Sequence, residues 1–216
     1  MKALLFANGE PNPGLMVQRA LASAENARII AADGGARIAH KYGYRVDTVI
    51  GDMDSLSELE LQMLQHYGAV VHRYPPEKDE TDLELALKFA AEQHISWLRI
   101  IGGVGGRVDQ VLSNIYLLAL PELHDMDVGL VAGNQAIYLL RTGEHHLQGV
   151  AGDTVSLLPM GGDVHGITTD DLQYPLHGET LQFGPARGIS NVMLHDIATV
   201  TLTSGLLLVV HTIGRA

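Results

Sequence analysis

Thr48-Val49-Ile50-Gly51-Asp52-Met53-Asp54-Ser55 is the stretch on which the fold turns. A short apolar β-type run stops at a glycine, delivers two aspartates, and hands over to a helical pattern at Ser57. The same phrase recurs on either side of it. Strands are predicted at Ala3 to Ala7, Arg28 to Ala32, Thr48 to Ile50, Val70 to Tyr74, Leu98 to Ile101 and Val128 to Val131, with helices between them. In the helical segment Ser57 to Tyr67, Leu59, Met63 and Leu64 share a stripe, and Val108, Val111, Leu112 and Ile115 follow the i, i+3, i+4, i+7 rule. Such alternation predicts an α/β domain with a doubly wound, mostly parallel sheet and helices on both faces.

Beyond about residue 132 the pattern changes. Thr154 to Leu158, Thr180 to Phe183, Thr199 to Thr203 and Leu206 to His211 read as strands, punctuated by Gly, Asp and Pro and without an amphipathic helix between them. The expectation is an α/β domain over residues 1–135 followed by a small antiparallel β-sandwich over 136–216, with a soft boundary near 132–145.

Composition narrows the chemistry. Acidic side chains outnumber basic ones by 25 to 14, a formal net charge of -11, so no basic footprint for a nucleic acid backbone is present. With no cysteine, disulfides, iron-sulfur clusters and thiol catalysis are excluded, and a reducing compartment fits. The apolar runs Ala3 to Ala7 and Leu206 to Val210 are too short for a signal-peptide core or a membrane span, so a cytoplasmic protein without membrane association is expected.

In open α/β sheets, ligands bind beyond the carboxyl ends of the strands. Four consecutive predicted strands deliver carboxylates there: Asp33-Gly34-Gly35, then Gly51-Asp52-Met53-Asp54-Ser55, then Lys78-Asp79-Glu80-Thr81-Asp82, then Gly102-Gly103-Val104-Gly105-Gly106-Arg107-Val108-Asp109-Gln110. Each loop alone has a structural reading. Aspartate and glycine suit βα turns, and Thr81-Asp82-Leu83-Glu84 fits a helix capping box. Together they crowd carboxylates that would repel one another unless a cation sat among them. Oxygen-only ligands suit Mg²⁺, with Asp52 and Asp54 as primary ligands, two apart and pointing the same way if extended, and Asp33 and Asp82 completing the set.

The glycine-rich stretch is neither a dinucleotide fingerprint nor a P-loop. It nevertheless permits close backbone approach ahead of a helix N-terminus, where Arg107 adds a forked donor for phosphate oxygens. On the helix that follows, Asp109, Ser113 and Tyr116 share a polar face bordered by Gln110 and Asn114, and that face is expected to look into the cleft.

Five motifs in this order, Asp33-Gly34-Gly35-Ala36, Gly51-Asp52-Met53-Asp54-Ser55, Lys78-Asp79-Glu80-Thr81-Asp82, Gly106-Arg107-Val108-Asp109-Gln110 and Gly188-Ile189-Ser190-Asn191, make the chain similar to the thiamin pyrophosphokinases. The resemblance spans most of the chain. It implies transfer of pyrophosphate from ATP to the hydroxyl of thiamin, with the α/β domain binding nucleotide and the β-sandwich serving thiamin binding and dimerisation. A homodimer with its active site between subunits is implied as well. By the same resemblance Asp52, Asp54, Asp82 and Asp109 are the catalytic candidates, and Asp33, Gly34, Lys78, Asp79, Thr81, Gly103 and Arg107 are expected around ATP. Asp109, Gln110, Ser190 and Asn191 are expected around thiamin. Animal members carry a tryptophan where this chain has Tyr174. Two rival readings share the same cleft. A phosphoaspartate-type phosphohydrolase would act on simple phosphate esters without thiamin, and a non-catalytic nucleotide sensor would bind ATP without forming AMP.

Overall fold

The computed structural model describes residues 1–215 and divides into two compact units, Met1–Gly133 and Asn134–Ala216. The first unit is built on six strands, β1 (Lys2–Phe6), β2 (Arg28–Ala32), β3 (Thr48–Gly51), β4 (Val70–Arg73), β5 (Trp97–Ile101) and β6 (Asp127–Ala132). Five helices connect them: α1 (Leu15–Ala22), α2 (Gly35–Lys41), α3 (Glu58–His66), α4 (Asp82–Glu92) and α5 (Val108–Tyr116).

Every pairing in this unit is parallel, in the order β4-β3-β2-β1-β5-β6. Parallel strands are covered on both faces and so read as continuous apolar runs. Ala3, Leu4, Leu5 and Phe6 of the central β1 are all fully buried, with Leu5 in register with Ile30 on one side and Ile100 on the other. Leu4, Leu5 and Phe6 each contribute about 2 kcal/mol of apolar burial. The right-handed rule puts α1, α2 and α3, whose connections step from β1 toward β4, on one face, and α4 and α5, whose connections step the other way, on the other. Gly35 opens α2 hard against β1, and a Cβ there would collide with the Phe6 carbonyl.

The chain leaves β1 toward β2 and leaves β5 toward β6, in opposite directions across the sheet. Between these neighbours lies the topological switch point, where α/β sheets open a crevice at their carboxyl edge.

Two expected helix stripes are corrected. In α3 the buried residues are Leu61 and Leu64, while Leu59 and Met63 are exposed. Helix α3 starts at Glu58, behind a capping box made by Ser57 and Glu60, and its buried side is the one that carries Leu61 and Leu64. At α4, Thr81 accepts a hydrogen bond from the Glu84 amide, but Glu84 pairs with Lys88 instead of closing a second box. In α5 the one buried residue is the polar Asn114, and Val108, Leu112 and Tyr116 are exposed.

The second unit is antiparallel throughout and forms the expected β-sandwich: β7 (Gln135–Leu140), β8 (Gly143–Gln148), β9 (Thr154–Asp170), β10 (His177–Leu181), β11 (Asn191–Val192), β12 (Ile197–Leu202) and β13 (Ser204–Thr212). The long β9 serves two sheets. Its first half pairs with β13 and β11 and its second half with β12 and β10, with the register slipping between Met160 and His165. Gly161, at φ 75°, lies in this slip and supplies the left-handed conformation that the bend requires. Between the two halves lies a core that includes Leu157, Val164, Ile167, Val200, Leu207 and Val209.

Candidate active site

The carboxyl edge of the first unit opens into a cleft of about 900 Å³. Its walls come from the loops after β1, β2, β3, β4 and β5 and from the first turns of α4 and α5. At its floor, carboxylate oxygens of Asp33, Asp52 and Asp82 lie within 4.8 Å of one another, the one such acidic grouping among the described residues.

Local backbone chemistry produces this convergence. Asp33 follows β2 in the left-handed region, at φ 44°, and is only 3% exposed. Its Oδ2 accepts a hydrogen bond from the Ser55 amide at 3.3 Å, which ties the β2 loop to the β3 loop, while its Oδ1 is buried without a partner. Asp82 is the first residue of α4, where the helix dipole favours a carboxylate. Gly51, at φ 151°, makes room for it, because a Cβ there would lie 2.9 Å from the Asp82 carboxyl carbon and 3.1 Å from Asp33 Cβ.

Asp52 and Asp54 do not lie in an extended segment. Met53 between them is buried and left-handed, at φ 69°, so the segment turns and the Asp54 amide donates to Asp52 Oδ1 at 3.1 Å. Asp52 therefore joins the cluster, whereas Asp54 is exposed on the cleft wall and accepts from the Ser55 hydroxyl at 3.2 Å. Two non-glycine residues held in a sparsely populated backbone region, both beside one cleft, are the kind of strain that collects at functional sites.

Lys78 Nζ lies 3.1 Å from Asp52 Oδ2 and 3.0 Å from Asp82 Oδ1, the second contact being an ion pair off hydrogen-bonding direction. The Asp54 amide holds the Asp52 carboxyl below its ordinary range, against the opposing effect of burial and with help from Lys78. Burial pushes Asp82 up more than Lys78 pulls it down. For Lys78, burial works against the charge, but its pairs with Asp82 and Asp52 outweigh it and raise the ammonium. One ammonium against three carboxylates leaves two formal negative charges, and a buried oxygen of Asp33 has no hydrogen-bond partner. An oxygen-only donor set with an unsatisfied buried ligand atom fits a hard divalent cation.

The remaining predicted residues divide. Thr81 caps α4 on the cleft wall, and Gly103, Arg107 and Gln110 line the cleft. Gly34 is the N-cap of α2, packed against the Asn8 side chain. Asp79 is exposed and lies outside the lining. Asp109 is also outside it and grips Arg107 from the same turn, at 2.5 and 3.2 Å, a pair that holds its carboxyl below the ordinary range. The α5 residues on the cleft are Gln110, Val111 and Asn114, not the face of Asp109, Ser113 and Tyr116. Asn114 is turned inward because its amide donates to the Gly103 carbonyl at 2.8 Å, and Asn12 donates to the Val104 carbonyl at 2.7 Å. The glycine loop is thus pinned from two sides.

The sequence reading missed Asn8, Gly9 and Glu10 after β1, and it placed Ser55 and Glu80 at the carboxyl edge without giving them a role of their own. Asn8 donates to the Ser55 hydroxyl at 3.2 Å and so joins the loops of β1 and β3. The signal was the Asn-Gly turn directly after the first strand, which a switch point beside β1 would have made significant.

In the second unit, Ser190 is exposed at φ 59° and its amide donates to the Ser156 hydroxyl at 3.1 Å. Asn191 is buried, with its amide already committed. Its Oδ1 accepts from the amides of Tyr174 and Val192, and its Nδ2 donates to the Tyr174 carbonyl at 2.7 Å. This double clasp fixes the backbone of Tyr174, whose side chain is exposed.

Comparison with known proteins gives consistent matches. Residues 20–130 match the family model described as thiamin pyrophosphokinase, catalytic domain, and residues 144–207 the model described as thiamin pyrophosphokinase, vitamin B1 binding domain. A thiamine pyrophosphokinase from Bacillus subtilis (strain 168) is 31% identical over 163 residues, covering 75% of this chain and 76% of that one. Thiamine pyrophosphokinase 1 of Arabidopsis thaliana is 29% identical over 209 residues, or 85% of this chain and 78% of that protein. Among solved structures, a Bacillus subtilis thiamine pyrophosphokinase superposes with a TM-score of 0.86 at 26% identity, covering 99% of both chains.

Proposed function

The chain belongs to the thiamin pyrophosphokinase family, and from that premise we propose that its cleft binds ATP with Mg²⁺ and transfers the pyrophosphoryl group to the hydroxyl of thiamin, giving thiamin diphosphate and AMP. One observation carries the reading of the cleft: carboxylate oxygens of Asp33, Asp52 and Asp82 come within 4.8 Å of one another beside a glycine loop at the switch point, and a buried oxygen of Asp33 has no hydrogen-bond partner.

Asp33, Asp52 and Asp82 would hold the Mg²⁺, with Asp54 at the edge of the set. When bound, that ion supplies neutralisation of the phosphate oxygens, which is most of what phosphoryl-type transfer asks of a site. The rest falls to the chain itself. The glycine loop, pinned by Asn12 and Asn114, offers backbone approach to the phosphates. Arg107 is released from Asp109 to meet phosphate oxygens with its fork. The thiamin hydroxyl attacks the β-phosphorus in line and AMP leaves.

The reading extends to a homodimer in which the β unit of one copy completes the cleft of the other. It is supported by the exposed apolar side chains of α5 and by the exposed Ser190. Ser190 and Tyr174, the latter set by Asn191, then face thiamin. No helix among the described residues is long and apolar enough to cross a membrane. A cytoplasmic setting belongs to the same proposal, supported by the cysteine-free sequence.

The test is AMP release from ATP and Mg²⁺ with and without thiamin. Thiamin-dependent AMP is expected. Phosphate release from simple esters without thiamin would restore the hydrolase reading, and tight ATP binding with no AMP would restore the sensor reading; family membership favours neither.

A further inference from the structure

Lys78 reaches two of the three clustered carboxylates and stops short of the third. Its side chain is only 11% exposed, and its ammonium sits 3.1 Å from Asp52 and 3.0 Å from Asp82, while Asp33 Oδ1 stays buried and unpartnered. An ammonium is a single positive charge with three donors, suited to holding a pair of carboxylates together but unable to balance three. A divalent ion bound to these oxygens and an ammonium held at hydrogen-bonding distance from them compete for the same lone pairs.

We propose that Lys78 is the internal counter-ion of the carboxylate cluster, that a divalent cation enters by displacing it, and that the freed ammonium then engages the phosphates arriving with that cation. The inference rests on the reading of Asp33, Asp52 and Asp82 as the metal set and deepens it. It makes the site self-regulating. Without nucleotide the lysine occupies the carboxylates and keeps metal affinity low. With nucleotide the ammonium has a new anionic partner, so metal and triphosphate strengthen one another's binding, as linkage requires.

Mn²⁺ serves as the probe, followed by its electron paramagnetic resonance signal and by calorimetry, on wild type, Lys78→Met and Lys78→Arg. Lys78→Met keeps the length of the side chain and removes the charge, so it is expected to bind Mn²⁺ without nucleotide on the order of tenfold more tightly than wild type, the equivalent of one pK unit of relieved competition. The same variant is expected to show a smaller mutual enhancement between Mn²⁺ and a non-hydrolysable ATP analogue, since only the direct attraction of the ion for the phosphates remains. Lys78→Arg keeps the charge and is expected to stay near wild type in nucleotide-free Mn²⁺ affinity. A crystal structure with Mn²⁺ alone is expected to show Lys78 turned away from Asp52 and Asp82. Unchanged or weaker Mn²⁺ binding in Lys78→Met, or Lys78 still seated on both carboxylates with Mn²⁺ bound, would overturn the displacement. Asp52→Asn separates the two levels: if it leaves Mn²⁺ binding intact in the presence of the ATP analogue, the metal assignment itself fails and takes the displacement with it.

Discussion

Gly51 carries no side chain, and the acidic floor of the cleft is built on that fact. Asp82 comes down from α4 into the space a Cβ would fill, which brings its carboxylate to Asp33 across the end of β3. Gly51→Ala should therefore push Asp82 out of the set and strain a backbone at φ 151°. The expected result is roughly a hundredfold fall in kcat/KM, the scale of a misplaced catalytic group, with a loss of about 1–2 kcal/mol in stability. Parallel turnover and melting measurements check it, and a variant that melts early but turns over normally would contradict the spatial argument. The two aspartates beside Gly51 should also separate. Asp52 is in the cluster and Asp54 is on the rim, so Asp52→Asn is expected to cost roughly a hundredfold or more in turnover and Asp54→Asn clearly less. Kinetics at saturating Mg²⁺ decides between them. Sequence spacing could not make this distinction. Residues two apart share a side only in an extended chain, and nothing in the letters Asp-Met-Asp announces that Met53 is left-handed.

Elements were legible in proportion to how completely they are buried. Strands β1, β2, β3 and β5 stood out because their side chains face helices on both sides of the sheet, and the loops after β2, β3, β4 and β5 carried the carboxylates. Strands β7 and β8 did not stand out. In Gly143 to Gln148 only Leu147 is buried, and a pair of histidines takes the middle, so the alternation that marks a half-buried strand is too sparse to see. Helix α5 failed differently, because periodicity reveals an apolar stripe without saying what covers it. A polar device in the sandwich was equally silent. Asp153, just before β9, is buried beside His211 of β13, 2.8 Å away, and also accepts the Gly214 and Val150 amides. Burial alone would raise its carboxyl, but the Gly214 amide, the His211 ring and the Val150 amide together keep it below the ordinary range. A carboxyl lowered on folding stabilises the protein above its unfolded pKa of roughly 3.9, and that contribution is lost as pH falls through the lower folded value. Asp153→Asn is thus expected to cost about 2 kcal/mol at neutral pH. Its melting deficit should be full above about pH 5 and should shrink below roughly pH 3. Melting curves of both proteins across that range test the sign, and a deficit that grew in acid would refute it.

For the whole molecule, the question is what covers α5. Val108 is 71% exposed, Leu112 47% and Tyr116 61%, and their spacing of four puts them on one stripe of the helix whose other side forms the cleft wall. Large apolar side chains arranged contiguously mark an association surface more often than a free one. The proposed homodimer gives them a partner and gives the cleft its thiamin-facing residues, so assembly and catalysis should be lost together. Leu112→Glu places a charge in the middle of the stripe without touching the carboxylate cluster. It is expected to halve the solution mass measured by light scattering and to remove the concentration dependence of melting that an assembling protein shows. Nucleotide and Mn²⁺ binding should survive, since the residues that provide them belong to the first unit alone. Thiamin-dependent AMP release should fall by at least about tenfold, because a substrate held by only part of its contacts is poorly placed for in-line attack. A monomeric variant with full activity would detach assembly from the site, and a wild-type protein of monomer mass would leave the α5 stripe needing another partner.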